Sequence, residues 1–275
     1  DQGRRLHRTM RSMQASTLIE VVGRDTVRIV RSQLSAEFEP APPTPTGPRI
    51  VVRATDPGYV QSVGDDEIVC ALAEHPVDLI WRDAGAGTFV IAGEPLVTLY
   101  GIDTLPAEQL DRVREQFVIG GERTYEFDVG FGVRHLVDMA LKALSPGIND
   151  VTSAVMVVNE LGVVAHHVCE QCVADDGWRL LPLAESPDYV VRVLDLDTFL
   201  DLAFGEIALA AIALPRVHVR ILELLAALAH DRAPAVCRVL VDHAARVRAI
   251  LAPGQATDRD VPIAVRQRLL DGIAS

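Results

Sequence analysis

From Arg123 to Asp150 the chain puts polar residues on an otherwise apolar helix and then closes with the turn Ser145-Pro146-Gly147, and no other stretch narrows its fold so far. Val133, Leu136, Val137, Ala140, Leu141 and Leu144 recur at three- and four-residue spacing, which predicts an α-helix from Gly130 to Leu144. At about 100° per residue, Arg134 and Asp138 fall on the margin of the apolar face, one turn apart, and are expected half buried. His135 and Lys142 fall on the solvated side. Stripping an ion of water costs several kcal/mol, so Arg134 and Asp138 need partners: each other, or neighbours such as Arg123, Glu126 and Asp128. Pairing that simply holds elements together is the first expectation. Proline disfavours the helical conformation in the residue before it, and Pro146-Gly147 suits the centre of a type II turn. Asn149 or Asp150 can then cap a second helix. The corner of Arg123, Asp128, Arg134, Asp138, Ser145, Asn149, Asp150 and Thr152 is the candidate ligand-binding site, against the commoner outcome of a hydrogen-bonded hinge.

The run RTYEFDVGFGVRHLVDMALKALSPGINDVTSAV resembles the signature of the domain-of-unknown-function 2254 family of predicted bacterial membrane proteins. LHRTMRSMQASTLIEVVGRDT near the start and TFLDLAFGEIALAAIALPRVHVRILELLAAL near the end resemble the same family, so the resemblance covers most of the chain. It implies transmembrane helices ahead of a soluble part, and no established molecular activity. The family pattern has Gln at the position of His135 and Pro at that of Val151, so it assigns His135 no catalytic or ligand role.

With 275 residues, 49% of them hydrophobic and 5% aromatic, the chain can bury a sizeable core and favours helices. Its net charge of -12 argues against nucleic acid as a partner. No run of about eighteen apolar residues occurs, so nothing in the chain itself is expected to span a bilayer. The longest candidate, Ile207 to Leu214, ends at Pro215. Nothing at the start has the pattern of a secretory leader, and the chain reads as the soluble part of a longer protein. Cys70, Cys169, Cys172 and Cys237 are too scattered for a disulfide scaffold and suit a reducing compartment. The single lysine, Lys142, excludes a P-loop, because no GxxxxGK exists.

Arg4, Arg5, Arg8 and Arg11 form a basic cluster at the start. Behind the membrane spans that the resemblance implies, such a cluster stays on the cytoplasmic side and gains about 1 kcal/mol per residue at an anionic leaflet. Met13 to Leu34 shows helical spacing and reads as a stalk or as a face for a partner copy, so a homo-oligomer is expected. Glu39 to Pro48, EPAPPTPTGP, reads as an extended, semi-rigid linker. Short strands with Gly-bearing turns follow over residues 49–103, and GYV with GTFVIAGEPLVTL resembles a barrel-sandwich hybrid, the fold of biotinyl and lipoyl carriers and of transporter adaptors. A carrier needs an attachment lysine and this segment has none, which leaves a structural or adaptor role.

Leu105 to Phe117 and Thr152 to Cys172 read as helices, Gly177 to Leu196 as a hairpin, and Thr198–Leu214, Arg216–His230, Pro234–Leu251 and Ala256–Ile273 as helices. His166, Cys169 and Cys172 invite a zinc reading through CEQC, but the cysteines lie on the apolar face and the histidines off it, so buried structural thiols are expected. The expected fold is α+β and predominantly α-helical. It comprises a juxtamembrane or stalk helix (1–38), the Pro-rich linker (39–48), a small β module (49–103) and a helical domain carrying the hairpin (104–275), with the signature corner at 123–152.

The expected role is that of a cytoplasmic domain on the inner (plasma) membrane, attached to its own transmembrane helices, without a cofactor, serving assembly, gating or ligand sensing. The alternative is an enzyme, a metal-dependent hydrolase with a divalent ion at the Arg/Asp/Asn corner.

Overall fold

The computed structural model describes residues 2–33, 39–124, 128–171, 177–181, 183 and 187–250. Glu126, Cys172 and the helix expected over residues 256–273 lie outside these. The fold is α+β and predominantly helical, as expected, and the chain divides into two compact units. A helical unit comprises Asp1–Ser32, Gly132–Asp175 and Leu194–Ser275; a β-rich unit comprises Gln33–Phe131 and Asp176–Val193.

In the helical unit, α1 (Gln2–Gln33) is continuous through the expected stalk. Helix α4 (Val129–Leu144) follows its apolar pattern: Val133, Leu136, Val137 and Ala140 are fully buried, while Lys142 is exposed. His135 is half buried rather than solvated, and Asp138 is exposed rather than half buried. Helix α5 (Val151–Gln171) buries Ala154, Val158, Leu161, Ala165 and Val168 and packs on α8 (Pro215–Leu228). By length and apolarity one stretch departs from the expectation that nothing in the chain could span a bilayer. Val151–Glu170 is a 20-residue stretch of mean hydropathy 1.3, long and apolar enough to cross a membrane by those measures alone. It is 44% buried inside the structure, with Asn159, Val163, His166 and Glu170 exposed.

A single helix over 198–214 does not form. Asp195 caps α6 (Leu196–Leu200), accepting from the Thr198 N–H at 2.8 Å and its hydroxyl at 2.7 Å. A π-helical turn (Asp201–Gly205) follows, then α7 (Glu206–Ala210). The stretch is apolar almost all round, so its periodicity holds no record of the inserted residue. Helix α9 (Pro234–Ile250) packs on α6, α7 and α8.

The β-rich unit holds β1 (Glu39–Pro40), β2 (Arg49–Arg53), β3 (Gly58–Val63), α2 (Asp65–Leu72), β4 (Leu79–Arg82), β5 (Phe89–Val90), β6 (Pro95–Tyr100), α3 (Ala107–Glu115), β7 (Phe117–Gly120), β8 (Trp178–Leu180) and β9 (Asp188–Arg192). Its larger sheet has the order β1-β8-β9-β4-β6-β2 and its smaller one β5-β3-β7. Neither closes into a barrel. The hairpin β8–β9 joins the larger sheet through a parallel pairing of β9 with β4, Ile80 opposite Tyr189. The core lies on one side of that sheet, where Val52, Ile80, Leu96, Leu99 and Val191 meet Ile68 and Leu72 of α2 and Val113 of α3. Arg82 bonds both carboxylate oxygens of Asp65, at 2.9 and 2.6 Å, and the buried Tyr189 hydroxyl donates to Asp65 at 2.6 Å. The start of α2 is thereby tied to β4 and β9.

Candidate functional site

The residues of the expected corner form three local clusters. The first lies in the β-rich unit. Asp128 is 6% exposed; its Oδ1 accepts from the Phe131 N–H at 3.0 Å, capping α4, and its Oδ2 accepts from Arg123 Nε at 2.7 Å. The Arg123 guanidinium also lies 5.3 Å from the Phe131 ring centroid. Gly87, at φ +86°, turns the chain so close beneath the Asp128 carboxylate that no side chain fits there.

The second cluster belongs to the helical unit. Arg134 pairs with Asp138 one turn on, at 2.9 Å, and its other terminal nitrogen donates to Glu206 of α7. The bond to Glu206, ahead of the charge of Asp138, holds the Arg134 pKa above its ordinary value. The expected mutual pairing is therefore present, with Glu206 as a partner the sequence reading missed.

The third cluster is the turn into α5. The Ile148 and Asn149 N–H groups donate to the Ser145 carbonyl at 3.0 and 2.9 Å. Gly147 does not take a positive φ, so the turn is not type II; the left-handed residue is Asn149, at φ 46°. The chain winds on right-handed past Leu144, and Asn149 reverses it where an Asn tolerates that backbone best after Gly. Asp150 caps α5 as expected, accepting from the Ser153 N–H at 3.1 Å and its hydroxyl at 2.7 Å. Thr152 is exposed in the first turn. At about 1.5 Å rise per residue, Asp138 and Arg134 lie about 9 and 15 Å from the last residue of α4.

Near the end of α5, His166 and His167 share Glu170, at 3.1 and 3.2 Å. Arg232 lies 3.1 Å from His166 Nδ1 and Arg31 3.3 Å from His167 Nε2. Arginine can only donate, so in this arrangement the ring nitrogens His166 Nδ1 and His167 Nε2 face guanidinium donors. Cys169 is buried, and burial pushes its thiol up to about 11. Among the described residues, no group of three or more His, Cys, Asp and Glu side chains is placed to hold a metal ion.

Two further features were not anticipated. His243 of α9 is almost fully buried, its Nδ1 3.2 Å from Asp201 and 3.1 Å from Arg246, which also binds Asp197 and Asp201. That nitrogen can satisfy only one of the two, and Nε2 has no partner in the described structure. His218 of α8 is fully buried; the Leu214 and Ala208 carbonyls lie near, but neither ring nitrogen makes a hydrogen bond of ordinary geometry. A histidine within an apolar helical pattern was the available signal for both. A shallow cavity of about 410 Å³ lies between α5 and α8, lined by Val155, Pro215, Arg216, Val219, Arg220 and Glu223. Arg220 there is held by Asn159 at 2.6 Å and Glu223 at 3.0 Å.

No solved structure matches the chain. An uncharacterized protein of Mycobacterium bovis and one of Mycobacterium tuberculosis are each 32% identical to it over 183 residues, 62% of this chain and 34% of the relative. The chain thus spans only part of the length of the curated relatives it matches. Residues 5–227 match a family described as a predicted membrane protein, which takes in the signature helix α4, the Asp150 cap and the Arg134–Glu206 pair, and the chain belongs to this domain-of-unknown-function 2254 family.

Proposed function

We propose that the chain is the cytoplasmic part of a polytopic inner-membrane protein and acts without chemistry of its own, in assembly, gating or ligand sensing. One observation carries this reading: the charged signature residues neutralise one another and brace helices. Arg134 ties α4 to α7, and Asp128 and Asp150 are engaged in caps. Helix α1 supports it further. It starts in the basic cluster of Arg4, Arg5, Arg8 and Arg11 and packs against α4 at Gly132 and against α5 through Gly23, so its displacement would move the signature helix. The partners are the protein's own transmembrane helices, an anionic membrane surface at the basic cluster, and further copies of the chain.

Cys70 is exposed and supplies the test of sidedness. In the full-length protein with Cys70 as sole cysteine, an impermeant maleimide should label inverted membrane vesicles and spare intact spheroplasts. Labelling from outside overturns the cytoplasmic placement. Light scattering of the full-length protein in detergent tests assembly, and a strict monomer would leave gating and sensing alone. Turnover abolished by Asp138→Ala would overturn the non-enzymatic reading.

A further inference from the structure

The connection from β1 to β2 has little slack. The two strands lie at opposite edges of the six-stranded sheet, and its five strand spacings take about 24 Å. Residues 41–48 alone join them, and the nine steps from Pro40 to Arg49 reach about 28 Å as polyproline II backbone. Little length is left over for a detour, so the segment crosses the sheet as a strap.

Its contacts identify the face. The Ala41 N–H donates to the Trp178 carbonyl at 3.3 Å, and the Gly101 N–H donates to the Pro48 carbonyl at 3.0 Å. Ala41 packs on a cluster of Leu79, Tyr100 and Val190 with Trp81, Trp178 and Leu180. Strand register puts these residues on one side: Leu79 pairs with Tyr100, Trp81 with Thr98 and Val190, and Leu180 with Val190. Their neighbours Ile80, Leu99 and Val191 point to the main core on the other. Leu79, Tyr100 and Val190 are 3%, 6% and 0% exposed, so this second side is covered too.

The strap has the composition of polyproline II. Ala41, Pro42 and Pro45 are half buried, while Pro43, Thr44, Thr46, Gly47 and Pro48 are exposed. The face on which Ala41 packs carries two tryptophan rings with centroids 4.5 Å apart, and Arg192 sits 5.9 Å over the Trp178 ring. Aromatic surfaces suit such a segment, because its backbone is already ordered and loses little entropy on docking.

We propose that the Trp81–Trp178 face is a recognition surface for proline-rich polyproline II segments, occupied in cis by residues 41–48. A tethered ligand acts at an effective concentration in the millimolar range, so a free peptide competes poorly while the strap is intact.

Trp81 and Trp178 are the chain's only tryptophans, so fluorescence reports on this face alone. In the full chain, residues 42–48 are replaced by an equal length of Gly and Ser, and the peptide EPAPPTPTGP is added in trans. The variant should show red-shifted, acrylamide-quenchable emission that the peptide restores saturably, while a Gly/Ser peptide does nothing and intact protein does not respond. A folded variant that ignores the peptide overturns the proposal. Should that variant fail to fold, the Pro42→Ala/Pro45→Ala double variant decides. With far-UV circular dichroism unchanged, loss of protection from acrylamide is expected, and unchanged quenching overturns the proposal.

Discussion

Thr26 of α1 lies against Gly132 of α4 with no side chain between the helices: a Cβ added at Gly132 would sit 3.1 Å from Thr26 Cβ and closer still to its hydroxyl. Thr26 is buried and cannot swing aside, because its side chain is β-branched and its hydroxyl donates to the Val22 carbonyl at 2.7 Å. The comparable approach of Gly23 to α5 meets the Glu160 side chain, which is long and half exposed.

Gly132→Ala should therefore destabilise the helical unit by about 1–2 kcal/mol in urea melts, overpacking outweighing the helix-propensity gain of Ala over Gly. Gly23→Ala should cost less, since the Glu160 carboxyl can move into solvent. Gly147→Ala meets nothing within 4 Å at an ordinary φ and should be neutral or slightly stabilising. Equal costs at Gly132 and Gly147 would remove the close-contact account.

Arg134 and Glu206 should show a coupling of about 0.5–1 kcal/mol in a double-mutant cycle of Arg134→Met and Glu206→Gln, the range of partly exposed ion pairs. The coupling should shrink in molar salt, because both groups reach solvent. Asp138→Asn should couple to Arg134 less, as the Glu206 bond is the leading cause of the raised Arg134 pKa. A cycle energy of zero would make the pair ornamental and weaken the bracing role given to the signature.

What the sequence made legible was local. Helices α4 and α5 were readable because an amphipathic period needs only neighbours three and four residues away, and Asp150 because a cap binds within its own first turn. Glu206 was not readable, since it meets Arg134 across 72 residues inside an apolar run. Strand β7 and the parallel pairing of β9 with β4 were missed for the same reason: strand partners are chosen by tertiary packing, and period-2 alternation names a face without naming a neighbour. The Pro-Gly pair misled about the turn because glycine permits a positive φ without requiring it; Asn149 takes that role.

Acid should destabilise the helical unit through His218 and His243. Burial lowers both pKa values, and for His243 the charge of Arg246 adds to it against Asp201 and Asp197. Above about pH 6.5 the rings are neutral in folded and unfolded chains alike, so stability is fully present and flat. Below it the unfolded chain binds protons that the folded chain refuses, and stability falls by up to about 1.4 kcal/mol per pH unit per histidine until the folded pKa is reached. Thermal melts between pH 8 and 5 should show this loss, and His218→Leu should make its acid limb shallower. An unchanged limb in that variant would mean His218 titrates normally.

Thiol reactivity separates the buried account of CEQC from a redox or metal account. In a Cys172→Ser chain, Cys70 is exposed while Cys169 and Cys237 are buried, the Cys237 thiol donating to the Ala229 carbonyl at 3.3 Å. With its pKa pushed up to about 11, Cys169 at pH 7.5 is thiolate in about 0.03% of molecules, against about 10% for an ordinary thiol. Burial slows it further. Ellman's reagent should find a single fast thiol that disappears in Cys70→Ser, with Cys169 and Cys237 reacting only after urea. A second fast thiol that vanishes in Cys169→Ser would sink the buried account and return Cys169 to the candidates for metal or redox use.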